Sequence, residues 1–164
     1  MNAKLFCGVM YRDKSVFYEA LEMVKEEFGD IEKLSDPYDF SFTSHYENEM
    51  GRELKKRFVV FKLPIDRTML AEAKLFTNTV EKKLSVGGNR RINIDPGYFT
   101  QANLVLASTK EFPHRVYLKC GIYAEVTLLF KKDGCFYLDW TYQDFRSQKT
   151  RNFFFEVRNE TFKQ

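Results

Sequence analysis

The sequence is poor in several features, and each shortage excludes a class of protein. It has 3 Cys and 4 Pro among 164 residues. Cys7, Cys120 and Cys135 are widely spaced and form no Cys-x-x-Cys pair, which argues against a thiolate zinc site and a disulfide framework. No apolar run approaches the roughly 18 residues of a membrane-spanning helix, and no secretory signal is recognisable. We therefore expect a cytoplasmic protein with no membrane partner.

The sequence also lacks an excess of one charge and the common catalytic motifs. Lys and Arg number 26 against 23 Asp and Glu, and this interleaved net charge of +3 gives no signal for nucleic acid. Gly87-Gly88 is followed by Asn89-Arg90 rather than Lys-Ser or Lys-Thr, which argues against a P-loop nucleotide site. Gly-x-Gly-x-x-Gly, Gly-x-Ser-x-Gly and His-Glu-x-x-His are missing too.

Aromatic residues are abundant instead: 17 Phe, 9 Tyr and 1 Trp. Apolar residues make up 44% and charged residues 30% of the chain, which is ordinary for a globular protein. A chain of this length buries roughly 68–70% of its unfolded surface and needs no disulfide or metal to fold. We therefore predict one domain over residues 1–164, with most aromatic rings in its core.

The apolar pattern of the first half predicts the order β-α-β-β-α-β. Residues 5–11 and 58–63 are almost wholly apolar, as expected for central strands. Residues 38–43 and 92–95 alternate between apolar and polar, as expected for strands with one exposed face. A ferredoxin-like sheet has its first and third strands at the centre. We therefore predict an α+β fold, with a ferredoxin-like core at residues 3–98 and a mostly antiparallel sheet.

Residues 99–164 are predicted to form a strand-rich extension and a C-terminal helix. Extended segments are expected at residues 104–108, 115–119, 122–130 and 136–138, and Ser147 is a candidate N-cap for the last helix. These strands either extend the first sheet or close a partial barrel against it.

The hairpin around Cys120 can be registered from its apolar positions. A three-residue loop Lys119-Cys120-Gly121 places Arg115 opposite Glu125 and Tyr117 opposite Tyr123. One face then carries these four residues and Thr127. The other carries the apolar side chains Val116, Leu118, Ile122, Ala124, Val126 and Leu128.

Candidate site residues concentrate between Asn93 and Arg146. Asp95-Pro96-Gly97-Tyr98 has the composition of a turn that would point Asp95 and Tyr98 outward. Lys110 and Arg115, on either side of Pro113, are suited to hold a phosphate or a carboxylate. The other predicted ligand-binding residues are Arg146, Tyr98, Asn93 and Thr127.

The same region holds the residues predicted to do chemistry. His114 with Asp95 or Glu125 is the candidate for proton transfer. Alternatively, His114 could bind a divalent metal together with Asp95, Glu125 or Asp144. Each residue also has a structural alternative: Asp95 could cap its own turn, Arg115 could pair with Glu125 across the hairpin, and Asp144 could begin the last helix. His45 is a weaker candidate.

Several ordered segments resemble a known family. They are residues 49–51, 74–78, 93–98, 104–110, 114–118, 121–128, 140–142 and 144–147. Over nearly the whole chain they are similar to the family of domain of unknown function 4416. Gln143 stands where proline is expected, and His45 where an acidic residue is expected, which weakens the case for His45 as a site residue.

The resemblance implies a bacterial or archaeal protein with no established activity. Some members of the family bear a GTP-binding label, which does not fit the missing P-loop in its usual mechanistic sense. Two hypotheses remain. The first is a small enzyme or binder of a phosphorylated or other anionic small ligand, such as a nucleotide. The second is a non-catalytic module that binds RNA or a protein through the Tyr117–Tyr123 face. A shared cleft favours the first and exposed aromatic side chains favour the second.

Overall fold

The computed structural model describes residues 2–163 and shows one antiparallel sheet with helices on both faces. Within that range the strands are β1 Ala3–Tyr11, β2 Ile31–Leu34, β3 Tyr38–Asp39, β4 Lys55–Ile65, β5 Ile92–Phe99, β6 Asn103–Ser108, β7 Val116–Lys119, β8 Ile122–Lys131 and β9 Gly134–Tyr137. The helices are α1 Lys14–Phe28, α2 Glu47–Met50, α3 Leu70–Lys83, α4 Gln143–Arg146 and α5 Gln148–Thr161. The predicted α+β class is confirmed. None of the helices described is long and apolar enough to cross a membrane.

The sheet has the order β2-β4-β1-β5-β6-β8-β7, with β3 on β4 and β9 on β8. All the strand pairs are antiparallel. The apolar strands β1 and β4 lie side by side in the first half, as their burial on both faces predicts. The second half joins at the β5–β6 pair, so it extends the first sheet.

Alternation along the strands gives each sheet face its own core. On one face, Leu5, Val9 and Phe61 pack with α1 and α3. On the other face, Phe6 and Phe58 pack against Phe154 of α5, with both ring centroids 4.9 Å from that of Phe154. The predicted C-terminal helix is confirmed, and the side chain of Ser147 caps it by accepting a hydrogen bond from the Thr150 N–H. Much of the aromatic excess fills these two cores.

The strand predicted at residues 38–43 is largely wrong. The structure has β2 at residues 31–34 and only the two-residue β3 in the predicted segment, and both pair with β4. Ser35 separates them because its hydroxyl accepts a hydrogen bond from the Phe58 N–H at 2.7 Å. Phe40 then leaves the sheet and packs against Phe42 and Tyr46.

The turn predicted at Asp95–Tyr98 is also wrong, since these residues continue β5. Pro96 pairs with Cys7 of β1, while β6 begins to pair with β5 only at Gly97. Because the Ile94 N–H points away from β1 to the α3 side, the nitrogen of Pro96 two residues later faces that same unpaired edge. A proline there removes no ladder hydrogen bond.

The β7–β8 hairpin has the predicted pairing of Tyr117 with Tyr123 but a different turn. Lys119 pairs with Ile122, so the loop has two residues, Cys120 and Gly121, both with positive φ (52° and 75°). The prediction of a three-residue loop was therefore wrong. The pairing register of β7 with β8 shifts between Tyr117 and Lys119 instead.

The predicted apolar face of the hairpin is interrupted further along β8. A bulge lies between Val126 and Leu128, opposite the Leu104–Val105 step of β6. It places Leu128 in the core under α5, whereas Ile122 packs with α3. A bulge adds one residue to a strand and so reverses the face of the side chains that follow.

Candidate functional site

A gap in the sheet between β5 and β6 creates the site. The two strands pair only from Gly97 to Phe99, so the earlier part of β5 has an unpaired edge. There α3 takes the place of a strand: Glu81 Oε2 accepts a hydrogen bond from the Ile94 N–H at 2.7 Å, and Lys74 Nζ lies 3.5 Å from the Ile94 carbonyl oxygen. Buried backbone groups need such partners. Because side chains of α3, and not a neighbouring strand, bind these backbone groups, the space above the gap stays open.

The space is a cavity of about 400 Å³. That volume falls within the range of small-molecule sites in proteins. Its charged lining residues are Lys56, Lys74, Glu81, Arg90, Asp95, Lys110, Arg115, Glu125 and Asp144. The polar and aromatic lining includes Phe40, His45, Tyr46, Asn78, Asn93, Ser108, Thr109, Tyr142 and Phe145.

Lys74 and Asp95 form the first ion pair of the cavity floor. The Nζ–Oδ1 distance is 3.0 Å, and Asn93 donates to Asp95 Oδ2 at 2.8 Å. Burial opposes the charge of Asp95, but Lys74 and Lys56 outweigh it and hold the pKa of Asp95 below its ordinary value. Burial likewise opposes the charge of Lys74, yet Asp95 and Glu81 raise the pKa of Lys74. Both groups are therefore charged at neutral pH.

Lys56 and Asp144 form the second and more deeply buried pair. Lys56 Nζ lies 2.7 Å from Asp144 Oδ2, and the two side chains are 7% and 4% exposed. Tyr38 donates its hydroxyl to the same carboxylate oxygen at 2.9 Å. Three aromatic rings lie 5.1–5.5 Å from the ammonium nitrogen, those of Phe40, Phe58 and Phe145. The pair thus links β4 to α4 at the cavity floor.

Gly8 of β1 leaves room for the Lys56 side chain. A Cβ at residue 8 would lie 3.0 Å from Lys56 Cε. A Cβ at this position would require the end of the lysine stem to shift by a few tenths of an ångström.

Glu125 forms one wall of the cavity and is 1% exposed. Its Oε1 lies 2.6 Å from His114 Nε2 and 3.2 Å from Arg115 Nε, and the Thr127 hydroxyl lies 3.2 Å from its Oε2. Arg115 and Glu125 are thus on one face of the hairpin, as predicted. Three further guanidinium N–H groups of Arg115 donate to Ser108 Oγ, the Lys110 carbonyl oxygen and the Tyr142 hydroxyl. These bonds fix the mouth of the cavity.

Glu81 differs from the other carboxylates of the cavity. Burial raises its pKa from 4.5 to about 7, against the opposing charge of Lys74 and the hydrogen bond from the Ile94 N–H. Its Oε1 lies 3.6 Å from Arg90 Nη1, and Arg90 also binds Glu49 at 2.9 Å. A carboxyl group with this pKa can gain or lose a proton near neutral pH.

The cavity brings together many of the residues predicted from the sequence. Those that line it are Asn93, Asp95, Lys110, Arg115, Glu125, Asp144 and His45. Their catalytic and binding roles stay predictions. His114 reaches the site through Glu125 and is stacked between Phe112 and Trp140 outside the lining, with centroid distances of 5.9 and 5.0 Å.

Three other predicted residues lie away from the cavity. Tyr98 packs on the α3 side against the cluster of Leu70 and Ile122. Arg146 donates to the carbonyl oxygens of Thr141 and Asp139, and so holds the loop before α4. Thr127 is completely buried behind Glu125.

Sequence reasoning missed Lys56, Lys74, Glu81 and Arg90. Lys74 and Glu81 lie seven residues apart on α3, beside the buried Ala73 and Val80, so each is a charge bordering an apolar stripe. Lys56 precedes Phe58 by two residues and faces the same side of β4. A charged residue within an apolar pattern is the sequence signal that could have identified these residues, because a buried charge needs a partner.

A metal site stays a prediction. Among residues 2–163 no three His, Cys, Asp or Glu side chains are grouped to hold a metal ion. Asp95 and Asp144 are instead each bound by a buried lysine.

Comparison with known proteins places the chain in a family. No curated protein and no solved structure matches it. The sequence model described as "Domain of unknown function (DUF4416)" matches residues 1–160, nearly the whole chain, and confirms the resemblance seen in the sequence. The chain, with its lysine–carboxylate cavity between β5 and β6, belongs to the family of domain of unknown function 4416.

Proposed function

We propose that the protein is a small cytoplasmic enzyme or binding protein whose ligand is a phosphorylated or other anionic small molecule, nucleotides included, held in the cavity between β5 and β6. The charge of the lining supports an anion. Five cationic side chains line the cavity against four carboxyl groups, and one of these four, Glu81, has a pKa of about 7. The lining is therefore net positive at neutral pH, which favours an anion.

The observation that carries the proposal is the pair of buried ammonium groups on the floor. Lys56 and Lys74 are each bound to one carboxylate oxygen, at 2.7 and 3.0 Å. An ammonium group has three N–H donors. Each lysine therefore keeps an N–H donor for a phosphate or carboxylate oxygen. Its ammonium group is already buried, so binding does not require a further protein charge to be buried.

The carboxyl groups supply the proposed chemistry. Asp95 and Glu125 line the cavity, and His114 contacts Glu125 at 2.6 Å, so a proton could pass between this pair and a ligand. A divalent metal entering with a phosphorylated ligand would use the carboxylates of Asp95, Glu125 or Asp144, and would supply charge neutralisation.

We further infer that residues 3–98 form a ferredoxin-like core within a single domain. The order β2-β4-β1-β5 supports this, with β3 counted as a continuation of β2. So does the packing of α1 and α3 on one face of these strands.

The proposal predicts that a ligand will stabilise the protein through Lys110, which lies at the cavity rim and is exposed. Nucleotides, sugar phosphates and inorganic phosphate, each with and without Mg²⁺, should be screened by thermal shift. A ligand at 100 times its Kd should add about 2.7 kcal/mol, or about 5–10 °C for a chain of this size. Lys110→Ala should weaken binding by about tenfold or more, because one charge-assisted hydrogen bond, worth about 1.5–3 kcal/mol, is lost.

Lys132→Ala is the matched control, since Lys132 is exposed in the turn between β8 and β9. It should bind as wild type does. Equal loss in both variants would show that binding is nonspecific, and no shift with any anion would contradict the proposal.

The second candidate, an RNA- or protein-binding module, is favoured by one observation. Val116, Tyr117 and Leu118 of the terminal strand β7 are 68%, 57% and 39% exposed. Binding of single-stranded RNA that is lost in Tyr117→Ala but kept in Lys110→Ala would support this function instead.

A further inference from the structure

We infer that the anion is held on the α3 wall of the cavity, beside Lys74, Asn78 and Arg90, and that Glu81 binds it as a protonated carboxyl group, so that anion binding takes up a proton. This inference rests on the proposed function. It names the position of the anion and the proton linkage of that site.

The spacing on α3 supports this position. Lys74, Asn78 and Glu81 are separated by four and three residues, so they lie along one face of the helix, and all three line the cavity. Arg90 reaches the same wall, because its guanidinium lies 3.6 Å from Glu81 Oε1 and 2.9 Å from Asn93 Oδ1. Two cations and an amide therefore surround one carboxyl group.

The two oxygens of Glu81 are not equivalent. Oε2 accepts the hydrogen bond of the Ile94 N–H, so a proton on the carboxyl group resides on Oε1. A protonated carboxyl group donates a hydrogen bond, whereas a carboxylate only accepts. Protonation therefore changes Glu81 from a group that repels an anion into one that binds it.

The charges facing Glu81 come from three places. Lys74 on α3 and Arg90 before β5 stabilise its carboxylate, while Asp95 on β5 and burial disfavour it. An anion bound to Lys74 and Arg90 neutralises the two charges that stabilise the carboxylate. Its own charge adds repulsion, so the bound complex favours protonated Glu81.

Inorganic sulfate tests the linkage, because its charge is constant between pH 6 and 8 whereas phosphate titrates there. For wild type, sulfate should bind about tenfold more tightly at pH 6 than at pH 8, since about nine-tenths of Glu81 is protonated at the lower pH and about one-tenth at the higher. In Glu81→Gln the amide keeps an acceptor for the Ile94 N–H and always has a donor. Its sulfate affinity should therefore vary less than twofold over this range, by calorimetric titration.

Two further variants identify the titrating group. Glu72 lies on the same helix but outside the cavity lining, so Glu72→Gln should keep the tenfold pH dependence of sulfate binding. His45→Gln, which removes the imidazole that lines the cavity, should keep it too. A dependence that persists in Glu81→Gln, or disappears in His45→Gln, overturns the inference while leaving the proposed function intact.

A measurement without any anion gives a second readout. Folded Glu81 keeps its proton to about pH 7, whereas the unfolded chain releases it near the ordinary value of 4.5. The folded state therefore binds more protons within this window, and wild type should lose stability relative to Glu81→Gln as the pH rises through it. Parallel stability curves would overturn the inference. Failure of sulfate to bind at any pH would also overturn the inference, whereas only failure of every anion in the thermal-shift screen would remove the proposed function together with it.

Discussion

Replacing Lys56 by Met should lower the free energy of unfolding by about 3–5 kcal/mol, because it leaves the buried carboxylate of Asp144 without its counter-charge. The ammonium–carboxylate distance is 2.7 Å and both side chains are more than nine-tenths buried. Methionine fits the space among Phe40, Phe58 and Phe145, so lost packing adds little. Urea unfolding followed by circular dichroism should show a lower midpoint and an unchanged slope.

The neighbouring residue provides the control for this prediction. Lys55 of the same strand pairs with Asp39 on the surface, where both side chains are largely exposed, so Lys55→Met should change stability little. The double variant Lys56→Met/Asp144→Leu should recover much of the loss, because it removes both buried charges. A small loss for Lys56→Met, or no recovery in the double variant, would contradict a buried ion pair at the cavity floor.

The elements could be predicted from the sequence wherever local pattern determines the structure. The apolar run at Leu5–Tyr11 and the helical spacing around Phe154 and Val157 identify a central strand and the last helix correctly. The pattern failed at Asp95–Tyr98, where turn-forming residues continue a strand. Proline and glycine are tolerated there because of a neighbour: Pro96 faces an unpaired edge, and Gly97 closely approaches β6.

The candidate site was predictable only where local sequence pattern identifies its residues. Asp95 was found through a turn that the structure does not have, whereas Arg115 and Glu125 were found from a hairpin whose strand pairing can be calculated from its apolar positions. Lys56 and Asp144, 88 residues apart, meet only after the sheet and α4 have packed. No local pattern contains such a pair. The gap between β5 and β6, which creates the cavity, is likewise a property of the assembled sheet.

Gly97 lies where the gap ends and β5 begins to pair with β6. Its replacement by alanine should have the second largest effect on stability among these predictions. A Cβ at residue 97 would lie 2.5 Å from the Val105 carbonyl oxygen and 2.6 Å from the Phe6 ring. The ring is held in the core and the carbonyl belongs to β6, so neither can move without separating strands. We expect Gly97→Ala to lower the free energy of unfolding by about 3 kcal/mol, the upper end of the usual cost of overpacking.

Gly134→Ala is the matched control, because the nearest atom to its added Cβ is a carbon of the Phe136 ring at an ordinary 3.6 Å. It should unfold within about 1 kcal/mol of wild type. Equal stability of the two variants would mean that β5 and β6 can separate at Gly97 without cost.

If β5 and β6 are instead held together at Gly97, Gly97→Ala should also reduce the thermal shift produced by a cavity ligand. Forcing β6 away from β5 moves the wall carrying Ser108 and Lys110 relative to Lys74 and Asp95.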